Sequence, residues 1–359
     1  MKTICKTDRY LVIFIFCVFI FTPILKAENL DISIQEDENL EKTTKPVESF
    51  IRTGMITPYL KLGGYAMLTY QYREAENIHD VRPRLAFISM DGKIGSNFRY
   101  FLLAEFVNPR LFEYYGEWTF SKYIGIKVGQ QKVPFALENP ISPTNMESIL
   151  NTRTVSSLVG MNDDVGVTTS GRDIGMQIFG SFFDGLLSYN AGFFQGTGIN
   201  IKENNQRKDF SGILSLQPIK NFHIAGSLYL GEAVYSINDN PLTSNTRNRW
   251  ALSADYETER FYARSEWING NDAGTLKSGI YGTALWYFVP KKINGFLKLD
   301  FFDADTSIGS VATDYIIGGS YYFAPRCRLQ LNYMHSQYSA NWQGNLNRNS
   351  LFAQMQVVF

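Results

Sequence analysis

The sequence is short of cysteine, of histidine and of any surplus charge, and each shortage closes a route. Its three cysteines are Cys5, Cys17 and Cys327. The first two fall in an N-terminal stretch that reads as a removable leader, which leaves one thiol and no intrachain disulfide to staple the fold. The histidines, His79, His223 and His335, are scattered, and no HExxH, CxxC or GxSxG pattern accompanies them. That gives catalysis little support and leaves no metal or cofactor to expect. Lysines and arginines number 34 against 34 acids, so no basic excess offers a footing for nucleic acid. Beyond residue 27 no run approaches the roughly 18 apolar residues of a spanning helix.

What is present begins with MKTICKTDRY, where Lys2, Lys6 and Arg9 precede LVIFIFCVFIF and the small residue Ala27 follows. This is the order of a secretory signal peptide, expected over 1–27. Residues 28–55 carry seven acids against three bases and read as a polar, poorly ordered lead-in. The remainder, 56–359, is rich in aromatics and glycine.

From Tyr59 onward the dominant period is two, in segments of about ten residues, the length at which a tilted strand crosses a bilayer. About sixteen such segments run from near 59–72 to 349–359, an even number, as in single-chain bacterial barrels. The links between them alternate in length. DGKIGSN, SKY, FFDG, PIKN, TE, PKKIN and AP are short; REAENIHD, GTGINIKENNQ, SINDNPLTSNT, NGNDAGTLK, HSQYSANWQGNLNR and the stretch from Lys132 to Gly171 are long. Short turns at one rim and long loops at the other are expected of an all-β, transmembrane antiparallel barrel bathed in outer-membrane lipid.

Parity agrees. In FRYFLLAEF, Phe98, Tyr100, Leu102, Ala104 and Phe106 oppose Arg99 and Glu105; in RWALSADY, Trp250, Leu252, Ala254 and Tyr256 oppose Arg249, Ser253 and Asp255. With lipid on the apolar sets, the polar sets face a wet interior. The inward cations are then Arg82, Arg84, Arg99, Lys127, Arg249, Arg264, Lys298 and Arg328, and the inward acids Glu105, Glu113, Glu117, Asp255, Glu266 and Asp300. Counting through the hairpins puts Arg82, Glu105 and Glu113 in one row and Glu117 opposite Lys127. Phe120, Tyr256, Phe261, Phe288, Phe323 and Phe359 would face outward beside short turns as an aromatic girdle. The closing strand SLFAQMQVVF must pair with the first, YLKLGGYAMLTY, because an open edge in lipid strands backbone groups. Its terminal Phe looks like the signal read by barrel-assembly machinery.

Four blocks, VGQQKVPFALE (Val128 to Glu138), SGRDIGMQIFG (Ser170 to Gly180), YNAGFFQGTG (Tyr189 to Gly198) and LSLQP (Leu214 to Pro218), taken in order resemble the phosphate-selective porin O and P family. The likeness covers most of the barrel and is strongest from Gly92 to Pro218. It implies a sixteen-stranded homotrimeric porin whose long third loop folds into the lumen, with arginines along the pore and lysines at the constriction. Here Lys132, Arg172 and Asp173 flank a loop holding Glu138, Glu147, Asp163 and Asp164 against the single Arg153, a departure from that pattern. The expected function is a passive channel for small hydrophilic solutes, anions such as phosphate foremost. A weakly selective porin, a non-conducting structural barrel, and an enzyme using His79 with Asp80 are the alternatives.

Overall fold

The computed structural model describes residues 60–159, 171–235, 243–344 and 346–359. The leader, the lead-in, Asp163 and Asp164 lie outside the described residues. Sixteen strands follow one another as β1 (Leu60–Arg73), β2 (Ile78–Ile94), β3 (Phe98–Glu105), β4 (Arg110–Ser121), β5 (Ile124–Lys132), β6 (Arg172–Phe182), β7 (Leu187–Phe194) and β8 (Asp209–Ile219). The second half is β9 (Phe222–Tyr235), β10 (Thr243–Glu257), β11 (Phe261–Asp272), β12 (Thr275–Val289), β13 (Ile293–Asp303), β14 (Val311–Ala324), β15 (Cys327–Tyr338) and β16 (Asn349–Val358). A short helix, α1 (Arg153–Leu158), lies in the connection between β5 and β6. Every strand pairs antiparallel with its sequence neighbours, and β1 pairs with β16, so the sheet closes into a barrel.

Closure answers the edge problem set by the sequence. Tyr65 stands opposite Val358 and Arg73 opposite Ser350, and past the last strand residue Phe359 exchanges both backbone bonds with Gly64, at 2.9 and 3.0 Å. On β16 the alternation resolves as expected: Ser350, Gln354 and Gln356 are buried inside while Met355 and Val357 stand exposed outside. Phe352, the misfit, is buried on the inner side with the polar set. Leu252, Leu297 and Ile317 are more than half exposed, and with similar residues on the other strands they form the outer apolar belt.

The connections differ from expectation. At one rim all are tight, with residues 122–123, 220–221 and 325–326 among them. At the other rim, REAENIHD and NGNDAGTLK are not long loops. There β1 and β2 continue to a turn at 74–77, and β11 and β12 to a turn at 273–274. The two-residue turn is made by Ala273 and Gly274, both at positive φ, the conformation a tight hairpin needs. Polar residues there continue the ladder instead of leaving it, because a strand projecting into water needs no apolar face. Among the described residues the long connections are 133–159, 195–208, 304–310 and 339–344, and residues 236–242 of the expected SINDNPLTSNT loop lie outside the described set.

The main hydrophobic core sits inside the barrel. Val133, Phe135, Ala136, Val155 and Leu158 of the long connection pack with Tyr229, Ala251, Ile268, Tyr281 and Phe302 of the wall. This connection spans the barrel: it leaves β5, and α1 packs on β11, β12 and β13, half the ring away.

Candidate functional site

The loop between β5 and β6 divides the lumen. Its root is tied where it starts: Val133 N–H reaches Gly171 O at 3.0 Å, and the Asn139 amide donates to Val133 O and Gly171 O. A Cβ on Gly171 would fall 2.0 Å from Asn139 Oδ1, and its φ of +61° also calls for glycine.

The far end is held by charge. Arg264 reaches Glu138 at 3.0 Å and Glu147 at 2.9 Å; Lys298 reaches the same two at 3.5 and 2.9 Å. Glu138 also accepts from the N–H of Thr152 at 2.8 Å, and the Glu266 carboxylate accepts from the N–H groups of Leu137 and Glu138. Burial alone would push the Glu147 carboxyl up, but the Lys298 and Arg264 charges beside it outweigh burial and bring its pKa down to about 2.

Asp300 and Asp314 stand directly opposite each other on β13 and β14, an unfavourable like-charge pair if left alone. The loop supplies what they lack. Arg153 grips Asp314 with two bonds of 2.8 and 2.9 Å, while Asp300 accepts from Thr154 Oγ1 at 2.6 Å and from the N–H groups of Arg153 and Thr154. Burial works against the Arg153 charge, yet the bonds and charge of Asp314 hold its pKa above the ordinary value. Thr152 caps α1 by accepting from Val155 N–H at 3.1 Å. Farther round, Ile149 N–H meets Asn332 Oδ1 at 2.6 Å, Arg328 donates to Met146 O at 2.9 Å and Gln356 to Thr144 O at 3.1 Å.

The inward cations therefore divide. Arg249, Arg264, Lys298 and Arg328 face inward but lie under the loop, at most 3 % exposed, so the loop covers them and water does not. Arg249 donates to Leu158 O and pairs with Asp272. On the other wall Glu117 stands opposite Lys127, 3.1 Å away, and Arg99 holds Asp91 with two bonds of 2.8 and 2.9 Å. Arg84 donates to Gln354 at 3.1 Å and Arg82 to Gln71 at 3.2 Å.

The expected row of Arg82, Glu105 and Glu113 does not form. Thr69 faces Arg82, Glu105 lies between Phe87 and Arg110, and a bulge at Leu103/Ala104 places Glu113 opposite Leu103. Glu105 pairs with Arg110 and Glu113 with Arg172. Asp173, fully buried, accepts from the N–H groups of Ile174, Gly196 and Gly198 and so fastens the 195–208 connection. His79 neighbours the Tyr70 hydroxyl, whereas Asp80 pairs with Arg82, so the two adjacent residues serve different partners. Of the rim aromatics, Phe120, Tyr256, Phe288, Phe323 and Phe359 are exposed; Phe261 is half-buried between Tyr256 and Trp286.

Two cavities lie against the loop. One, of about 800 Å³ on the long-connection side, is lined by Arg84, Arg153, Lys277, Asp314 and Trp342 among others. The second, of about 520 Å³ on the short-turn side, is lined by Tyr65, Phe101, Tyr115, Lys127, Lys132 and Arg172, with Glu113 its one side-chain carboxylate and Phe359 also in the lining. Parity reasoning missed an apolar patch beside it, where Phe87, Leu103, Phe112 and Ile199 are buried with Phe101 and Tyr65 against them. Its signal was available, since Phe101 and Leu103 share the parity of Arg99 and Glu105.

No family model matches the chain, and no curated protein matches it in sequence. Solved structures do. An anion-selective porin from Comamonas acidovorans superposes with a TM-score of 0.62 at 10% identity, over 84% of this chain and 99% of that one. OmpF of Salmonella typhi, solved with daunomycin, gives 0.62 at 12% identity over 84% and 97%. The trimer form of OmpT, an outer membrane protein of Vibrio cholerae, gives 0.61 at 8% identity over 84% and 99%. The fold is thus the closed antiparallel barrel of outer-membrane porins.

Proposed function

We propose that the protein is a passive porin of a Gram-negative outer membrane, reached after removal of the leader, through which small hydrophilic solutes diffuse. The observation that carries this reading is the divided lumen: an apolar belt outside, a polar wall inside, and a loop anchored across the barrel with a cavity on each face. Selection in such a channel comes from width and from the charges that remain on the open wall. Lys132, Arg172 and Arg326 against Glu113 around the short-turn cavity, beside the neutral Glu117–Lys127 pair, favour anions, phosphate among them, in keeping with the resemblance to the phosphate-selective porins. The loop carboxylates do not oppose this, because Glu138 and Glu147 are neutralised by Arg264 and Lys298.

A homotrimer, assembled through machinery that reads the C-terminal strand, belongs to the same proposal. A weakly selective porin is the second reading, favoured by the Glu117–Lys127 and Arg99–Asp91 pairs, whose mixed charge selects little. Reversal potential across a KCl gradient in a planar bilayer, with and without phosphate, separates the two. Anion bias with block by phosphate supports the first; current with neither supports the second, and no current from inserted barrels contradicts both.

A further inference from the structure

We infer that the short-turn cavity is a binding site for small amphipathic carboxylates, of which benzoate is the simplest, with the carboxylate on Lys132 and the ring against Tyr65, Phe101 and Tyr115. The inference rests on the porin reading and names a solute class for it.

Lys132 supplies the first observation. An ammonium carries three donors. Lys132 Nζ gives two of them to backbone oxygens, Asn139 O at 2.8 Å and Ile141 O at 2.9 Å, and among the described residues no carboxylate pairs with it. A half-buried ammonium that no carboxylate contacts is costly, and an anion in the cavity it lines relieves that cost. Arg172, held by Glu113 at 2.7 Å, and Lys127, held by Glu117 at 3.1 Å, line the same cavity as ion pairs and leave Lys132 as a cation open to a ligand.

The floor supplies the second. Phe101 and Tyr115 lie 5.4 Å apart at 32°, and Tyr65 lies 5.0 Å from Phe87. These rings point into a lumen where an inorganic ion, keeping its water, gains nothing from them. A flat apolar body does gain, by displacing water from ring faces and edges. The cavity of about 520 Å³ is also of the size that holds a small ligand. A cation and an aromatic floor in one cavity ask for a ligand with both characters.

The test is block of wild-type single-channel current by benzoate, acetate and phosphate, added to each side in turn. Benzoate is expected to block at roughly ten-fold lower concentration than acetate, an advantage of the size that ring contacts give. Block should be stronger from the short-turn side. The double variant Phe101→Leu/Tyr115→Leu is expected to bring the benzoate-to-acetate ratio toward unity, and Lys132→Gln to weaken both acids together. Ile308→Ala, in the other cavity, should leave the ratio where it was. Equal block by benzoate and acetate, tighter block by phosphate than by benzoate, or block without sidedness would overturn the site. If the double variant does not insert, the wild-type ratio and sidedness decide. Absence of any current would instead overturn the porin reading beneath it.

Discussion

The inner wall has two halves that read alike in sequence and behave differently in the fold. From β11 to β15 most inward charges are buried beneath the loop and matched to it: Arg264 and Lys298 to Glu138 and Glu147, Asp314 to Arg153, Asp300 to the first turn of α1, while Asp272 and Lys277 pair with each other. From β2 to β5 the pairs Arg99–Asp91 and Lys127–Glu117 run along the wall and stay partly open to water. The first half spends its polarity on holding a loop; the second keeps part of it open to the lumen, where the proposed porin would meet its solutes. An inward charge therefore anchors the loop or stays on the open wall according to what lies across the lumen from it, and strand parity alone does not say which.

The sharpest way to break this contrast is to strip one anchor. Arg264→Met leaves Glu138 and Glu147 buried with Lys298 alone, and removing one member of a buried charge cluster costs about 3–5 kcal/mol. We expect a clear drop in thermal stability of the detergent-solubilised barrel; an unchanged melting profile would show the cluster to be dispensable. Arg153→Ala, which frees Asp314 beside Asp300, should cost about 1–3 kcal/mol in the same measurement.

Acidity tests the same half more gently. The Glu147 carboxyl, ordinarily near 4.5, is held at about 2 by its cationic neighbours. A depressed carboxyl stabilises the docked loop above its free value and loses that contribution as pH falls through the folded one. Current should therefore stay quiet from pH 7 to 4.5 and grow noisy as pH approaches 2; noise that is already present between pH 7 and 5 would point to a different group. The smallest effect belongs to the open wall. Lys127→Gln removes a partly exposed wall pair worth roughly 0–1 kcal/mol. Melting should hardly move while reversal potential shifts away from anions, and a large loss of stability would erase the distinction between the halves.

The strands were legible because an apolar exterior around a polar interior imposes a period of two, which β10 and β16 display with few exceptions. The pairing of Glu117 with Lys127 was also within reach, since residues 122–123 join their strands and leave the register little freedom. What lay beyond the sequence depended on bulges and on distance. A single shift at Leu103/Ala104 moved Glu113 off the expected row. The anchoring of Glu138 by Arg264 joins residues far apart in the chain, and only closure of the ring brings them together. The inward aromatics are legible by the same parity, since Phe101 and Leu103 alternate in step with Arg99 and Glu105, but their gathering with Phe87 and Phe112 depends on the pairing of β2, β3 and β4.

The most direct test is single-channel conductance of Arg264→Met/Lys298→Met beside the wild type. With Glu138 and Glu147 stripped of their cations, the loop should leave the far wall. The variant should then pass larger and noisier current than the quiet, smaller steps of the wild type. Equal amplitude and equal noise in the two would contradict a lumen narrowed by an anchored loop.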